Sequence, residues 1–297
     1  LGSERSKELS DVVNHFILRR TNALLSQHLP PKVVQVVCCQ LTELQQKLYR
    51  HLLRSKEVRT ILQNGKKSTQ MLPLIANLKK LCNHPKLIFD GLKTQKAADG
   101  AADFVGFQGC DALFPAEFKD SGHLPIWSGK VRRGLPDCCY KMDVLDRLMS
   151  TVRRTSNDRI VLVSNFTTTL DMFESLCEFR KWSYLRLDGS TTVKKRQGLV
   201  DQLTDRSNDN FVFLLSSKAG GCGLNLIGAN RLVLFDPDWN PAVDKQAAAR
   251  VWRDGQTKRC FIYRFLSTGT IEEKVFQRQL SKEGLQSVIG GRAIMSI

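Results

Sequence analysis

The stretch RIVLVSNF at residues 159–166 decides the fold, because four apolar residues run without a break into a polar Ser-Asn pair. A continuous apolar run of this length indicates a strand that is buried on both faces. The next residues place Leu170, Phe173, Leu176 and Cys177 on one side of a predicted helix. A buried strand followed by an amphipathic helix is the repeating unit of a parallel sheet covered by helices.

Four further segments fit this pattern. They are SYLRLD (183–188), FVFLLSS (211–217), RLVLFD (231–236) and CFIYRFLS (260–267). Helical stretches separate the strands, and Thr270 with Glu273 forms a capping box that opens a last helix. The sequence therefore predicts an α/β lobe built on a parallel sheet with helices on both faces.

Residues 1–90 follow a different pattern and are predicted to be mainly helical. VVQVVCCQL (33–41) is a strand candidate, and a capping box of Thr42 and Gln45 opens the helix after it. A further helix through LIANLKKLCNHP (74–85) is expected to end at Pro85. Residues 91–130 show neither the helical nor the strand period, which indicates a long loop or insertion.

The chain has 297 residues and a formal net charge of +16, of which residues 1–100 carry +10. Such an excess favours a polyanionic partner over a generic solubility surface. The nine cysteines include no C-x-x-C pair, and a zinc site at Cys82 and His84 lacks two further ligands at a recognisable spacing. We expect reduced thiols in a cytosolic or nuclear protein, no metal site and no membrane segment. A chain that begins at Leu1 is expected to be a fragment.

Small polar residues follow three of the predicted strands, where open α/β sheets bind ligands. Ser164 and Asn165 follow the first, Asp188, Gly189 and Ser190 the second, and Ser216, Ser217 and Lys218 the third, before a run of glycines up to Gly223. Each group alone is typical of caps and turns, but together they suit a nucleic-acid backbone. Trp239, in FDPDWNP, is either a core aromatic or a side chain that stacks on a base.

The stretch QAAARVWRDGQ (246–256) places Gln246, Arg250 and Arg253 on one face of a predicted helix. Asn240 is its predicted N-cap, and Gly255 is expected to stop it. A solvated charged face is the alternative to a functional one. Arginines at such a place can stabilise a transferring phosphoryl group, yet the chain contains no G-x-x-x-x-G-K-[ST] motif that would cradle a triphosphate.

The order of these motifs resembles the C-terminal motor lobe of the Swi/Snf-like ATPases, double-stranded DNA translocases of helicase superfamily two. The resemblance is carried by VLVSNF (161–166), LDGS (187–190), SSKAGGCGLNL (216–226), FDPDWNP (235–241) and QAAARVWRDGQ. FILRRT (16–21), LPPK (29–32) and LKKLCNHP (78–85) resemble the segment that joins the two lobes. The amino-acid sequence of these motifs is most similar to that of the recombination branch of the family.

The resemblance implies a RecA-like lobe of the P-loop NTPase type. Arg250 and Arg253 are implied to be arginine fingers, supported by Gln246, that reach ATP and Mg²⁺ held by the N-terminal motor lobe of the same protein. Contacts to the backbone of double-stranded DNA are implied for Ser164, Asn165, Gly189, Ser217 and Lys218, with Trp239 beside the tracked strand. Implied partners are also the eukaryotic recombinase filament and nucleosomes, in the nucleus.

With this resemblance, the chain divides into five predicted regions. They are the end of a first motor lobe (1–29), a helical linker (30–90), a loop or insertion (91–136), the C-terminal lobe (137–289) and a tail (290–297). VRRGLPDCCY (131–140) and GGRAIMSI (290–297) depart from the family pattern. The alternatives to a translocase are a non-catalytic DNA-binding or scaffold module and a strand-separating helicase.

Overall fold

The computed structural model describes residues 29–64, 68–97, 107–115, 139–219 and 223–289, together with a few positions before residue 17. Its strands are β1 (Lys32–Cys39), β2 (Ile160–Ser164), β3 (Tyr184–Leu187), β4 (Val212–Ser216), β5 (Arg231–Leu234) and β6 (Cys260–Ser267). They form one sheet in the order β1-β6-β5-β2-β4-β3, and every pair is parallel. The predicted α/β fold with a parallel sheet is confirmed.

The central strands are buried on both faces, as their apolar runs predict. Every residue of β2 and β4 is buried. Alternation along β2 sends Ile160 and Leu162 into one core cluster and Val161 and Val163 into the other. The sheet therefore has a packed hydrophobic layer on each side of its central strands.

Nine helices surround the strands in the described ranges. They are α1 (Glu43–Arg54), α2 (Lys56–Asn64), α3 (Ser68–Asn83), α4 (Pro85–Ala97), α5 (Tyr140–Thr155), α6 (Thr167–Arg180), α7 (Val193–Thr204), α8 (Pro241–Val251) and α9 (Ile271–Ile289). α5 and α6 pack on one sheet face and α7 and α8 on the other. No helix in these ranges has the length and apolar character needed to cross a bilayer.

The first strand joins the sheet at its edge. β1 pairs with β6 over all eight of its residues, from Lys32 with Cys260 to Cys39 with Ser267. The sequence identified a strand here but assigned residues 30–90 to a helical linker. The structure places residues 32–39 in the sheet instead, because β6 has an open edge that the Val-rich strand can pair with.

The helices α1 to α4 have a core of their own. Leu48, Leu52, Leu81 and Ile88 form its centre, and all four are fully buried. The structure differs from the predicted loop over residues 91–130, because α4 continues to Ala97 and a 3₁₀ turn at Cys110–Leu113 lies against this core. Pro85 ends α3, as predicted, but also begins α4, since a helix tolerates proline at its first position.

Candidate functional site

The carboxyl ends of the neighbouring strands β5, β2 and β4 lie together at one end of the sheet. β4 pairs with one edge of β2 and β5 with the other. The connection from β4 to β5 therefore passes the end of β2. Such a switch point leaves a crevice outside the strand ends, and ligands of open α/β sheets bind there. The polar residues that follow these three strands therefore lie at the ligand-binding position of the fold.

A buried carboxylate, Asp236, holds this edge together. It lies just beyond β5 and is 3% exposed. Its Oδ1 accepts a hydrogen bond from Ser164 Oγ at 2.5 Å, and its Oδ2 accepts one from the backbone N–H of Asn165 at 3.1 Å. The Asn165 amide donates to the carbonyl oxygen of Asp236 at 3.3 Å. Asp236 thus connects the end of β2 to the end of β5.

Ser164 does not reach the surface. Its side chain is 1% exposed, and its hydroxyl donates to Asp236 and accepts from the backbone N–H of Phe166 at 3.2 Å. As the last residue of β2, it points into the sheet face rather than along the strand axis. The contact between Ser164 and DNA stays a prediction, and in the structure the hydroxyl stabilises the turn into α6.

Asn165, Ser217 and Lys218 form the exposed part of this edge. Asn165 Oδ1 accepts a hydrogen bond from Ser217 Oγ at 2.6 Å, and the backbone N–H of Ser217 donates to the Ser164 carbonyl at 3.0 Å. Asn165 and Ser217 are half-buried, whereas Lys218 is exposed. The arrangement presents an amide next to a hydroxyl, and the exposed Lys218 follows them in the chain; groups of this kind suit phosphate oxygens.

Gly189 lies in a separate turn after β3. Asp188 accepts hydrogen bonds from the backbone N–H and the hydroxyl of Ser190, at 2.9 and 2.6 Å, and from Arg186 Nε at 2.8 Å. The Ser190 hydroxyl first, and Arg186 next, hold the pKa of Asp188 below its usual value. Gly189 is exposed, with open space where a Cβ would stand. A backbone could therefore approach this turn closely.

Trp239 and the N-terminus of α8 follow β5 on the same side of the sheet. Trp239 is 37% exposed, which argues against its being a core aromatic. Asn240 is the N-cap of α8, as predicted: its side chain accepts from the backbone N–H of Ala242 at 3.1 Å. An exposed indole next to a capped helix start is available to stack on a base or sugar.

The predicted helix face of Gln246, Arg250 and Arg253 is only partly correct. Gln246 is exposed on α8, and Arg250 is half-buried one turn later, but α8 ends at Val251. Trp252 leaves the helical conformation with φ −96° and ψ 85°, and its indole N–H donates to the carbonyl oxygen of Pro30 at 2.8 Å. Arg253 therefore lies beyond the helix, and its position is set by the turn.

Arg250 and Arg253 are both tied to the loop that follows β4. The Arg250 carbonyl accepts from the backbone N–H of Leu226 at 3.0 Å. Arg253 Nη1 donates to the carbonyl oxygens of Leu224, at 3.2 Å, and Gly223, at 3.4 Å. The same loop begins with Ser217 and Lys218; its residues 220–222 lie outside the described ranges. One short loop thus connects the polar edge of the sheet to the arginine pair.

Two protein families match the chain in separate places. The helicase conserved C-terminal domain matches residues 140–255, and the SNF2-related domain matches residues 1–87. Protein CHROMATIN REMODELING 25 of Arabidopsis thaliana is 61% identical over 97% of this chain and 31% of its own length. DNA repair and recombination protein RAD54 of Oryza sativa is 61% identical over 97% and 29%, and the RAD54-like protein of Homo sapiens 52% identical over 97% and 36%. The chain belongs to the Swi/Snf-like ATPases.

This Swi/Snf-like chain spans about a third of the length of these relatives. Among solved structures, the C-terminal part of the Fun30 ATPase domain aligns with a TM-score of 0.63 and 28% identity, covering 88% of this chain and 97% of that one. This structural match agrees with a RecA-like α/β fold.

The sequence did not identify three buried residues that stabilise the polar strand ends, namely Asp236, Asn83 and Lys141. Asp236 lies within FDPDWNP, where Trp239 and not the carboxylate was the predicted site residue. Asn83, at the end of α3, and Lys141, on α5, are buried and bonded to each other near Asp236. A carboxylate directly after a buried strand was the available signal for Asp236. The partners of Asn83 and Lys141 lie far apart in the sequence, so no local pattern identifies them.

Proposed function

We propose that this chain is the C-terminal half of an ATP-dependent double-stranded DNA translocase that acts in homologous recombination and DNA repair. The family membership supports a motor ATPase. The observation that carries the proposal is the loop that begins with Ser217 and Lys218 and bonds to Arg253, because a motor must connect DNA contact to nucleotide chemistry. Motion along the duplex without strand separation is the proposed output.

Arg250 and Arg253 are proposed to be the arginine fingers, with Gln246 supporting them. Their guanidinium groups suit the charge that develops on a transferring γ-phosphoryl group. The chain lacks a P-loop motif, and its described residues include no group of three or more metal-ligating side chains. ATP and Mg²⁺ are therefore assigned mainly to the N-terminal motor lobe, and the chain alone is expected to be inactive as an ATPase.

The DNA contacts are proposed for the exposed polar residues of the strand ends. Asn165, Ser217 and Lys218 form one group, Gly189 lies at the neighbouring turn, and Trp239 stands beside the tracked strand. Ser164 contributes indirectly, through Asp236. The net charge of +16 supports a polyanionic partner. Names of the relatives, which refer to DNA repair, recombination and chromatin remodelling, support a nuclear protein with the recombinase filament and nucleosomes as further partners.

The finger assignment is tested by duplex-stimulated ATP hydrolysis of the full-length motor. Arg253→Ala should lower the turnover number by roughly a thousandfold or more, the usual loss when an arginine finger is removed. Arg59→Ala is the matched control, because this exposed arginine lies on α2, in the helical region. Wild-type turnover in Arg253→Ala would refute the assignment.

The DNA assignment is tested by the salt dependence of duplex binding. Removing one phosphate contact should reduce the slope of log affinity against log salt by about one. Lys218→Ala should show this reduction at every duplex sequence tested. An unchanged slope in Lys218→Ala would remove this residue from the interface, and a flat slope in the wild type would count against backbone binding as a whole.

A further inference from the structure

A buried amide lies where the helical region meets the sheet edge. Asn83 is the last residue of α3 and is fully buried. Its Nδ2 donates to Thr169 Oγ1 at 3.1 Å and to Asp236 Oδ1 at 3.4 Å, and its Oδ1 accepts from Lys141 Nζ at 3.3 Å. Every polar atom of its side chain therefore has a partner on a different element from α3.

The orientation of this amide is determined by its partners. An ammonium group can only donate hydrogen bonds, so Lys141 must face the oxygen of Asn83. Lys141 is itself held by Glu272, at 2.8 and 2.9 Å, in a pair that is buried on both sides. The NH₂ group of Asn83 is thereby directed at the Asp236 carboxylate, which can only accept.

Asp236 passes this constraint to the exposed residues of the edge. Its carboxylate accepts from the backbone N–H of Asn165, and Asn165 in turn accepts from Ser217. A second contact from α3 reaches the same turn, because Lys79 Nζ donates to the carbonyl oxygen of Pro237 at 2.7 Å. The end of α3 therefore holds the turn after β5 at two points.

We infer that Asn83 is a positioning residue through which α3 sets the orientation of Asn165 and Ser217, and thereby the affinity of this edge for duplex DNA. The inference rests on the proposed function, since it assumes that Asn165 and Ser217 contact the DNA backbone. A shift of α3 relative to the sheet would move the Asp236 carboxylate and with it both side chains. The helical region is thus part of the DNA response and not only a support for the lobe.

The experiment uses the full-length motor and measures both the duplex concentration at half-maximal ATP hydrolysis and the turnover number at saturating duplex. Asn83→Asp places a second carboxylate against that of Asp236 and should raise the half-maximal duplex concentration about two- to tenfold, the range of one lost hydrogen bond. Asp236→Asn should raise it similarly. The two substitutions together restore one donor and one acceptor and should return the value to within about twofold of wild type.

Gln45→Leu is the matched control. Gln45 is also a buried amide that bonds to the end of α3, through the Leu81 carbonyl at 2.9 Å, but it does not contact Asp236. It should lower stability without changing the half-maximal duplex concentration. If Asn83→Asp does not fold, Asn83→Ser, which is neutral and smaller, should show the same rise.

Three results would overturn the inference. They are an unchanged half-maximal duplex concentration in the Asn83 variants while Asn165→Ala raises it, a double variant no better than the single ones, and an equal rise in Gln45→Leu. If Asn165→Ala also leaves the value unchanged, the proposed DNA contact itself has failed. The Asn165→Ala result thus separates failure of the inference from failure of the proposed function.

Discussion

Glu272→Leu is predicted to be among the most destabilising single substitutions in this chain. Glu272 is 0% exposed and its partner Lys141 1%, and their two hydrogen bonds measure 2.8 and 2.9 Å. The substitution leaves the Lys141 ammonium buried without its counter-charge. It also removes the acceptor of the backbone N–H of Ser267, which donates to Glu272 Oε2 at 2.8 Å.

The expected loss is large because one partner of a buried pair is removed. Breaking such a pair costs about 3–5 kcal/mol, and a buried N–H without an acceptor adds about 1–3 kcal/mol. Against a typical domain stability of about 5–15 kcal/mol, the loss leaves the variant marginal. By contrast, Glu43→Gln removes an exposed pair with Lys47 and should leave the free energy of unfolding nearly unchanged.

Urea unfolding of the 297-residue chain measures the free energy of unfolding of the Glu272→Leu and Glu43→Gln variants. Lys141→Met combined with Glu272→Leu removes both charges and should recover most of the loss, since an apolar pair of similar volume is often as stable as a buried ion pair. A Glu272→Leu variant within about 1 kcal/mol of the parent, or a double variant as unstable as the single one, would refute the reasoning.

The pH dependence supplies an independent check on the same pair. Burial lowers the pKa of Lys141, but attraction to Glu272 outweighs it and holds the pKa above its usual value. A raised folded-state pKa means that the pair stabilises fully below the unfolded lysine pKa of about 10.4, and that this stability is lost as pH rises through the folded value. The parent should therefore lose the stability that this pair supplies only in strongly alkaline solution.

Four further substitutions test the packing and the turns by unfolding measurements. Gly228→Ala should lower the free energy of unfolding by about 2 kcal/mol or more, because its Cβ would lie 2.3 Å from a backbone oxygen of α7. Gly198→Ala lies at an exposed helix position with open space and should raise the free energy of unfolding by about 0.5–1 kcal/mol. Trp252→Phe removes the hydrogen bond to Pro30 and should cost about 1–3 kcal/mol, the penalty for a carbonyl without its donor. The lowered pKa of Asp188 contributes stability above the unfolded pKa of about 3.9, and this stability is lost as pH falls through the pKa of the folded state. Asp188→Asn should therefore narrow the difference in the free energy of unfolding between neutral and acidic solution.

The positions of the strands, and the burial of both faces of the central strands, were predictable because the apolar pattern that indicates them is local. In β2 and β4 the apolar run itself shows that both faces are buried, and the structure confirms it residue by residue. The N-cap at Asn240 and the capping box of Thr42 and Gln45 depend on neighbours within three residues, and both are present. The capping box predicted for Thr270 and Glu273 is only partly formed, because Thr270 accepts from the backbone N–H of Glu272 and Glu273 accepts from that of Gly269.

The errors have causes that lie far along the chain. Arg253 was placed on α8 because the four- and seven-residue offsets fit a helix, but Trp252 bonds to Pro30, 222 positions away, and the helix ends first. Ser164 was predicted to contact DNA because it lies at a strand end, and the hydrogen bond from its hydroxyl to Asp236, 72 positions away, has no local signal. Spacing shows which residues share an element, and it does not show what long-range contact each side chain makes.

The pairing of β1 with β6 has a consequence for how the molecule is made. Lys32 and Cys260 are neighbours in the sheet although 228 positions separate them, and the helical region and four other strands lie between. During vectorial synthesis β1 leaves the ribosome well before β6, and both edges of β1 stay open until β6 has been translated. Contacts of such long range slow the search for the native state and leave an apolar strand exposed to self-association meanwhile. Nascent chains stalled before β6 should accordingly depend on chaperones.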